Sequence, residues 1–200
     1  MNILVKTIFI SLIFFKSFAS HAYLPAMPPM APPPIDLPIQ NIPQETNVWC
    51  WAAVVQQIML FKNGPFNTPP QCSLVAVANN INPNYCCANL GNCAVTGDAL
   101  KIQQLLSYFN GSATTYTFPA NPMALYQTLA QRKPVIIELS QPYKGMTHVV
   151  VVRGMGFAQT PMGIIPVLHI NDPMGKPNYT QPVPFNQIAP IWKSAIVVHN

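Results

Sequence analysis

The stretch from Gln44 to Phe61, QETNVWCWAAVVQQIMLF, limits what this chain can fold into more than any other. Trp51, Val54, Val55 and Ile58 recur at helical spacing. Ala52, Met59 and Phe61 widen that stripe until only Gln56, Gln57 and Lys62 are plainly polar. A helix apolar around most of its circumference must be buried on most sides, so the rest of the chain has to pack around it. Local signals predict a start capped by Asn47 and a stop at Asn63-Gly64-Pro65, a C-cap followed by a breaker. Cys50 then lies in the first turn, where unpaired N–H groups and the positive end of the helix dipole favour a thiolate over a thiol. A cysteine placed there can be a nucleophile at neutral pH.

The other four cysteines, Cys72, Cys86, Cys87 and Cys93, form a cluster of their own. It lies between a helical pattern over Ser73–Ile81 and another capped by Thr96 or Asp98, whose apolar side carries Leu100, Ile102, Leu105, Leu106 and Phe109 up to Asn110-Gly111. In an exported chain such a cluster reads as two disulfides. A bond between the adjacent Cys86 and Cys87 is geometrically poor, which leaves Cys72–Cys86 with Cys87–Cys93, or Cys72–Cys87 with Cys86–Cys93. Either way Cys50 is the unpaired thiol. Zinc is disfavoured: Cys86-Cys87 lacks the two-residue gap of a zinc knuckle and no histidine lies nearby. No metal or other cofactor is expected.

Export itself is read from the first 22 residues. Lys6 lies in a short n-region, Thr7–Phe15 is apolar, and Ser20-His21-Ala22 places small residues where a signal peptidase reads, predicting cleavage after Ala22. The apolar run is shorter than the ~20 residues of a membrane span. Pro134 and Glu138 bracket or interrupt the best later candidate, so no stable membrane insertion is expected. A secreted or periplasmic chain follows. Its composition agrees, with 50% hydrophobic residues, 8% charged and 23 prolines, which is unusual for a cytosolic enzyme. The net charge of +5 falls to about +3 without Lys6 and Lys16, and the basic residues are scattered, which argues against a nucleic-acid partner. Asp36, Glu45, Asp98 and Glu138 are too scattered to suggest a glycosidase pair.

From Pro25 to Pro43 the chain reads PAMPPMAPPPIDLPIQNIP, which excludes a helix or a central strand and predicts an extended polyproline arm on the surface. The expected organisation is a leader over 1–22, the arm over 23–43 and a catalytic domain over 44–200. In the second half the period changes. Thr114–Phe118 reads as a strand and Asn121-Pro122 opens a helix ending at Pro134. Val135–Leu139, His148–Arg153, Ile164–Ile170 and Ser194–Val198 are short, β-branched and bounded by Gly or Pro. Helices first and an antiparallel sheet afterwards predict an α+β fold in two lobes, with the site in the cleft between them.

A thiolate needs a base that returns a proton to the leaving group, and His148 is the candidate, opening a strand after a loop over Gln141–Thr147. If the next hairpin turns near residue 160, somewhere between Gly154 and Gly163, His148 lies opposite Asn171 or Asp172. His21 belongs to the leader, His169 points to the opposite face of its strand, and His199 is next to the C-terminus.

Cys50-Trp51-Ala52 with Gln44 six positions upstream resembles the active-site helix of papain-like cysteine peptidases. The likeness is closer to the compact bacterial members, such as avirulence effector proteases of plant pathogens. It is more remote to peptidases that trim double-glycine leader peptides. It covers roughly Gln44 to the C-terminus, with Trp49 standing where papain has a small residue. The resemblance implies a two-lobed fold with a central active-site helix. Cys50 would be the nucleophile, Gln44 and the Cys50 N–H the oxyanion donors, and His148 the base. It also implies Asp172 of the Asp172-Pro173 pair as the residue that orients His148, in preference to Asn171. The implied substrate is a protein or peptide. The same constellation serves transglutaminases, deamidases and acyltransferases, and the reading from another class is a disulfide-stapled binding module without catalysis. The sequence leaves the oligomeric state open.

Overall fold

The computed structural model describes residues 31–143, 146–175 and 179–199. The expected leader, its cleavage point and the first part of the proline-rich arm lie outside these residues.

Helix α1 (Cys50–Asn63) is the centre of the core: Ala52, Ala53, Val54, Val55, Ile58 and Met59 are fully buried and Trp51 almost so. It begins two residues later than the Asn47 cap predicts. Trp49 takes the cap position with no side-chain cap bond, and its carbonyl accepts the first helical hydrogen bond, from Ala53 N–H at 2.9 Å. Packing decides this boundary, because the Trp49 indole is fully buried and donates from Nε1 to the Cys93 carbonyl at 3.1 Å. Around α1 lie α2 (Gln71–Ala78), α3 (Pro83–Ala88) and α4 (Ala99–Asn110). Asp98 caps α4 by accepting from Lys101 N–H at 2.9 Å, and Gly111 ends it with a left-handed φ of 61°. The short helix α3, hidden in sequence among Asn and Cys residues, is where the disulfides meet. Cys72 pairs with Cys87 and Cys86 with Cys93, which leaves Cys50 free.

The second half supplies all but the first strand of an antiparallel sheet, together with α5 (Pro122–Ala130) and the single-turn α6 (Phe185–Ile188). Its strands are β1 (Ile35–Asp36), β2 (Thr114–Thr117), β3 (Val135–Tyr143), β4 (Met146–Thr160), β5 (Gly163–Asn171), β6 (Val183–Pro184) and β7 (Trp192–Val198). They run in the order β2-β7-β3-β4-β5-β6, and β1 pairs with β4. The architecture is the α+β arrangement expected, with helices from the first half and sheet from the second.

Three local features depart from expectation. The loop predicted over Gln141–Thr147 is mostly strand: β3 and β4 continue toward each other until Tyr143 pairs with Met146. Strand β4 also runs on past Arg153, and the β4–β5 turn sits at Pro161-Met162. Gly154 is a strand residue there because a Cβ would lie 2.4 Å from the Ile35 carbonyl oxygen, so only glycine lets β1 approach. Finally, the arm is extended but is not merely laid on the surface. Leu37 and Ile39 are 3% and 4% exposed, and Leu37 N–H donates to the Arg153 carbonyl at 2.9 Å. Beyond β1 the arm passes the polar side of α1. There Gln57 Nε2 donates to Asn41 Oδ1 and to the Ile42 carbonyl, and Gln71 Nε2 donates to the Pro43 carbonyl. The fully buried Gln57 and Gln71 thus satisfy backbone that prolines prevent from pairing as strand.

Candidate active site

Cys50 is the first residue of α1 and is half-buried at the floor of a cleft. Its flanking tryptophans are fixed from one loop: Trp49 by the Cys93 carbonyl and Trp51 by the Val95 carbonyl, the latter at 3.2 Å. That loop is anchored by the Cys86–Cys93 bridge. The bulk at Trp49, a departure from papain, therefore fills core and takes a hydrogen bond.

His148 lies on β4 opposite Leu139 of β3 and is 3% exposed. Its Nε2 is 2.6 Å from Asp172 Oδ1, a carboxylate that is itself 2% exposed. Its other side is hydrogen-bonded to Cys50, which leaves Nδ1 toward the thiol. Burial pushes the imidazole pKa down. The hydrogen bonds from Asp172 and Cys50, together with their charges, more than reverse this and raise it to about 9. At neutral pH the ring is held in its protonated, imidazolium form.

Asp172 does not reach His148 as a cross-strand neighbour. The turn centre lies beyond residue 160 and Arg153 forms a bulge between the pairs Val152–Ile170 and Gly154–His169, so the ladder ends at Val151–Asn171. Asp172 follows the last strand residue at a corner, where Oδ1 also accepts from Met174 N–H at 2.8 Å. Asn171 turns the other way and donates from Nδ2 to the Ile39 carbonyl at 2.9 Å. The arm is bonded to this corner at two further points, Asn41 Nδ2 to the Asp172 carbonyl and Gln44 N–H to the Pro173 carbonyl. Gln44 is thereby held beside the site, with side-chain Nε2 donating to the Thr46 carbonyl at 2.7 Å. Sequence reasoning missed Asn41 and Ile39 as supports of the site. Their signal was faint: a polar Asn and a lone Ile within a proline run. Among the described residues the other two histidines have other partners: His169 pairs with Gly154, and His199 is hydrogen-bonded to Thr115.

A buried carboxylate, an imidazolium and a thiol in one hydrogen-bonded line, at the N-terminus of a central helix facing an antiparallel sheet, define a papain-like cysteine peptidase. The chain belongs to the papain-like cysteine protease AvrRpt2 family, whose pattern matches residues 34–188. That match begins inside the arm, just before β1. Among solved structures, a candidate C39-like peptidase from Bacillus anthracis is similar over 84% of this chain and 98% of its own, with a TM-score of 0.50 and 13% identity. No curated protein sequence matches the chain.

Proposed function

We propose that this cysteine peptidase is exported and that Cys50, His148, Asp172 and Gln44 form its catalytic unit. The observation that carries the reading is the hydrogen-bonded line Cys50–His148–Asp172. The Cys50 thiolate attacks the scissile carbonyl, and the oxyanion that forms is held by the Cys50 backbone N–H and the second amide hydrogen of Gln44. The C–N bond breaks as the His148 imidazolium gives its proton to the departing amine, leaving a thioester on Cys50. Water then attacks the thioester carbon and returns a proton to His148, and the acid product leaves with the thiolate restored. Asp172 keeps Nε2–H bonded and so directs Nδ1 toward sulfur. Two disulfides and an apolar leader ending in Ser20-His21-Ala22 support an oxidising destination.

The test is turnover of single variants on a peptide that the wild type cleaves, with folding checked by circular dichroism. Cys50→Ala and His148→Ala should each remove essentially all turnover, since the two act as a unit. Gln44→Ala should cost about a hundredfold to a thousandfold, the usual loss for one oxyanion donor. Full activity in folded Cys50→Ala would overturn the mechanism. N-terminal sequencing of the exported protein, expected to begin at Tyr23, tests the location.

A further inference from the structure

Beside Cys50 the surface opens into a pocket with a volume of about 40 Å³. One wall is the start of α4, with Gly97 and Ile102, and the other is one face of the sheet. Residues two apart on a strand share a face, so Ile136 with Glu138 on β3 and Thr147 with Val149 on β4 all line it. The lining is mixed: Ile102, Ile136, Val149 and Ile196 are apolar, and Asp98, Glu138, Thr147 and Ser194 are polar. The register puts Glu138, on a central strand, between Val149 of β4 and Ser194 of β7.

The partners that Glu138 has within the fold do not use up its acceptor capacity. Glu138 accepts from Ser194 Oγ at 2.8 Å and pairs with Lys193 at 2.9 Å, but Lys193 is 56% exposed, and an exposed ion pair is worth little. A carboxylate has about four acceptor sites, so this one retains capacity toward the pocket. The distribution of charge is also uneven. The chain has five Asp and Glu against ten Lys and Arg, yet Glu138 and Asp98 both line this pocket and no Lys or Arg does so among the described residues. Asp98 is partly occupied as the α4 cap, which leaves Glu138 as the acceptor in the pocket. A carboxylate in a lining that also carries Ile102, Ile136, Val149 and Ile196 fits a side chain with an apolar stem and a cationic end.

We propose that this is the pocket in which the enzyme reads its peptide substrate, and that it takes a lysine or arginine side chain whose cation is received by Glu138. The inference rests on the peptidase reading above. Lys193 is the internal cation that the substrate must share or displace, so it sets the strength of the preference.

The experiment uses the mature protein and a positional peptide library in which each position near the scissile bond is, in turn, Arg, Lys or the uncharged Met. Active enzyme is counted by labelling Cys50 with an epoxide. At one position the wild type should cleave the Arg or Lys peptides about tenfold or more faster in kcat/KM than Met, the scale of one charge-assisted hydrogen bond. Glu138→Gln should erase that difference while leaving the Met peptide within about threefold, and Lys193→Met should enlarge it. Conservative Glu138→Asp should retain part of it, which a merely structural role would not require. Equal cleavage of Arg and Met peptides at every position, or a preference untouched by Glu138→Gln, overturns the inference alone. A wild type that neither cleaves any peptide nor is labelled at Cys50 overturns the peptidase mechanism with it.

Discussion

Asn41 joins the central helix to the acid of the site: its Oδ1 accepts from Gln57 Nε2 at 3.1 Å and its Nδ2 donates to the Asp172 carbonyl at 3.1 Å. With the Asn171 bond to Ile39 and the Gln44 bond to Pro173, the arm holds both sides of the corner that presents Asp172. An arm used in this way is part of the folded enzyme. Asn41→Ala should lower stability by about 1–2 kcal/mol, the cost of leaving buried polar partners unmet, and should lower kcat more than it raises KM. A chain beginning at Gln44 should lose most of its activity. Thermal denaturation alongside turnover checks both, and an active, stable chain starting at Gln44 would show instead that the arm is dispensable.

The His148 pKa of about 9 fixes the high-pH side of the activity profile. In the proposed mechanism the reactive form carries an imidazolium, so kcat/KM should fall as pH rises through about 9. Asp172→Asn removes a carboxylate that favours the charged ring, so it should move that limb to lower pH as well as lowering the rate. The same shift acts on folding. The value is raised above the ordinary 6.5, so the pair's contribution to stability is complete below about 6.5 and is lost as pH rises through about 9. NMR titration of His148 in wild type and in Cys50→Ala measures this directly. The Cys50→Ala value should be the lower, since one hydrogen-bond partner and its charge are gone.

The two disulfides should separate stability from activity. By chain entropy, losing the Cys72–Cys87 bridge should cost about 3 kcal/mol and losing the shorter Cys86–Cys93 bridge about 2.5 kcal/mol. Only the shorter bridge anchors the loop whose Cys93 and Val95 carbonyls hold Trp49 and Trp51 on either side of the nucleophile. The double change Cys86→Ser with Cys93→Ser should therefore lose more turnover, at a temperature where the protein is still folded, than Cys72→Ser with Cys87→Ser. Calorimetry and turnover of both variants decide the order.

What the sequence made legible follows from the range of the interactions. Helical spacing and Gly111 at a left-handed position predicted α4 closely, because cap and period are local. The position of Cys50 at a helix start, and the count that left it unpaired, were equally local. The bulge at Arg153 was not legible. It adds one residue to β4 beside the point where β1 pairs with Gly154, and it moved the His148–Asp172 contact off the simple cross-strand register. The arm's integration was hidden for the same reason. Prolines forbid most ladder bonds, and the side chains that replace them are distant in sequence: Gln57 reads as the polar edge of α1, and Gln71 lies before the Ser73–Ile81 pattern.

Gly97 gives a prediction that separates sterics from chemistry at the cleft. A Cβ there would sit 2.2 to 2.6 Å from ring atoms of Trp51, and Gly97 has no positive φ that would itself exclude alanine. The clash with the indole is then the whole cost, about 1–3 kcal/mol for overpacking a filled site. Trp51 is next to Cys50 and is held by the Val95 carbonyl, with Lys101 5.7 Å from its ring, so it can move only by disturbing the start of α1. Gly97→Ala should lower both the unfolding temperature and kcat. Trp51→Phe alone loses the Val95 bond and some packing but leaves space opposite Gly97. The double variant should consequently be less damaged than the sum of the two single changes, with a coupling above about 0.5 kcal/mol, the level at which contacting residues depart from additivity. Denaturant titration of the four proteins measures it, and strict additivity would mean that the Gly97–Trp51 contact does not set the position of the nucleophile's helix.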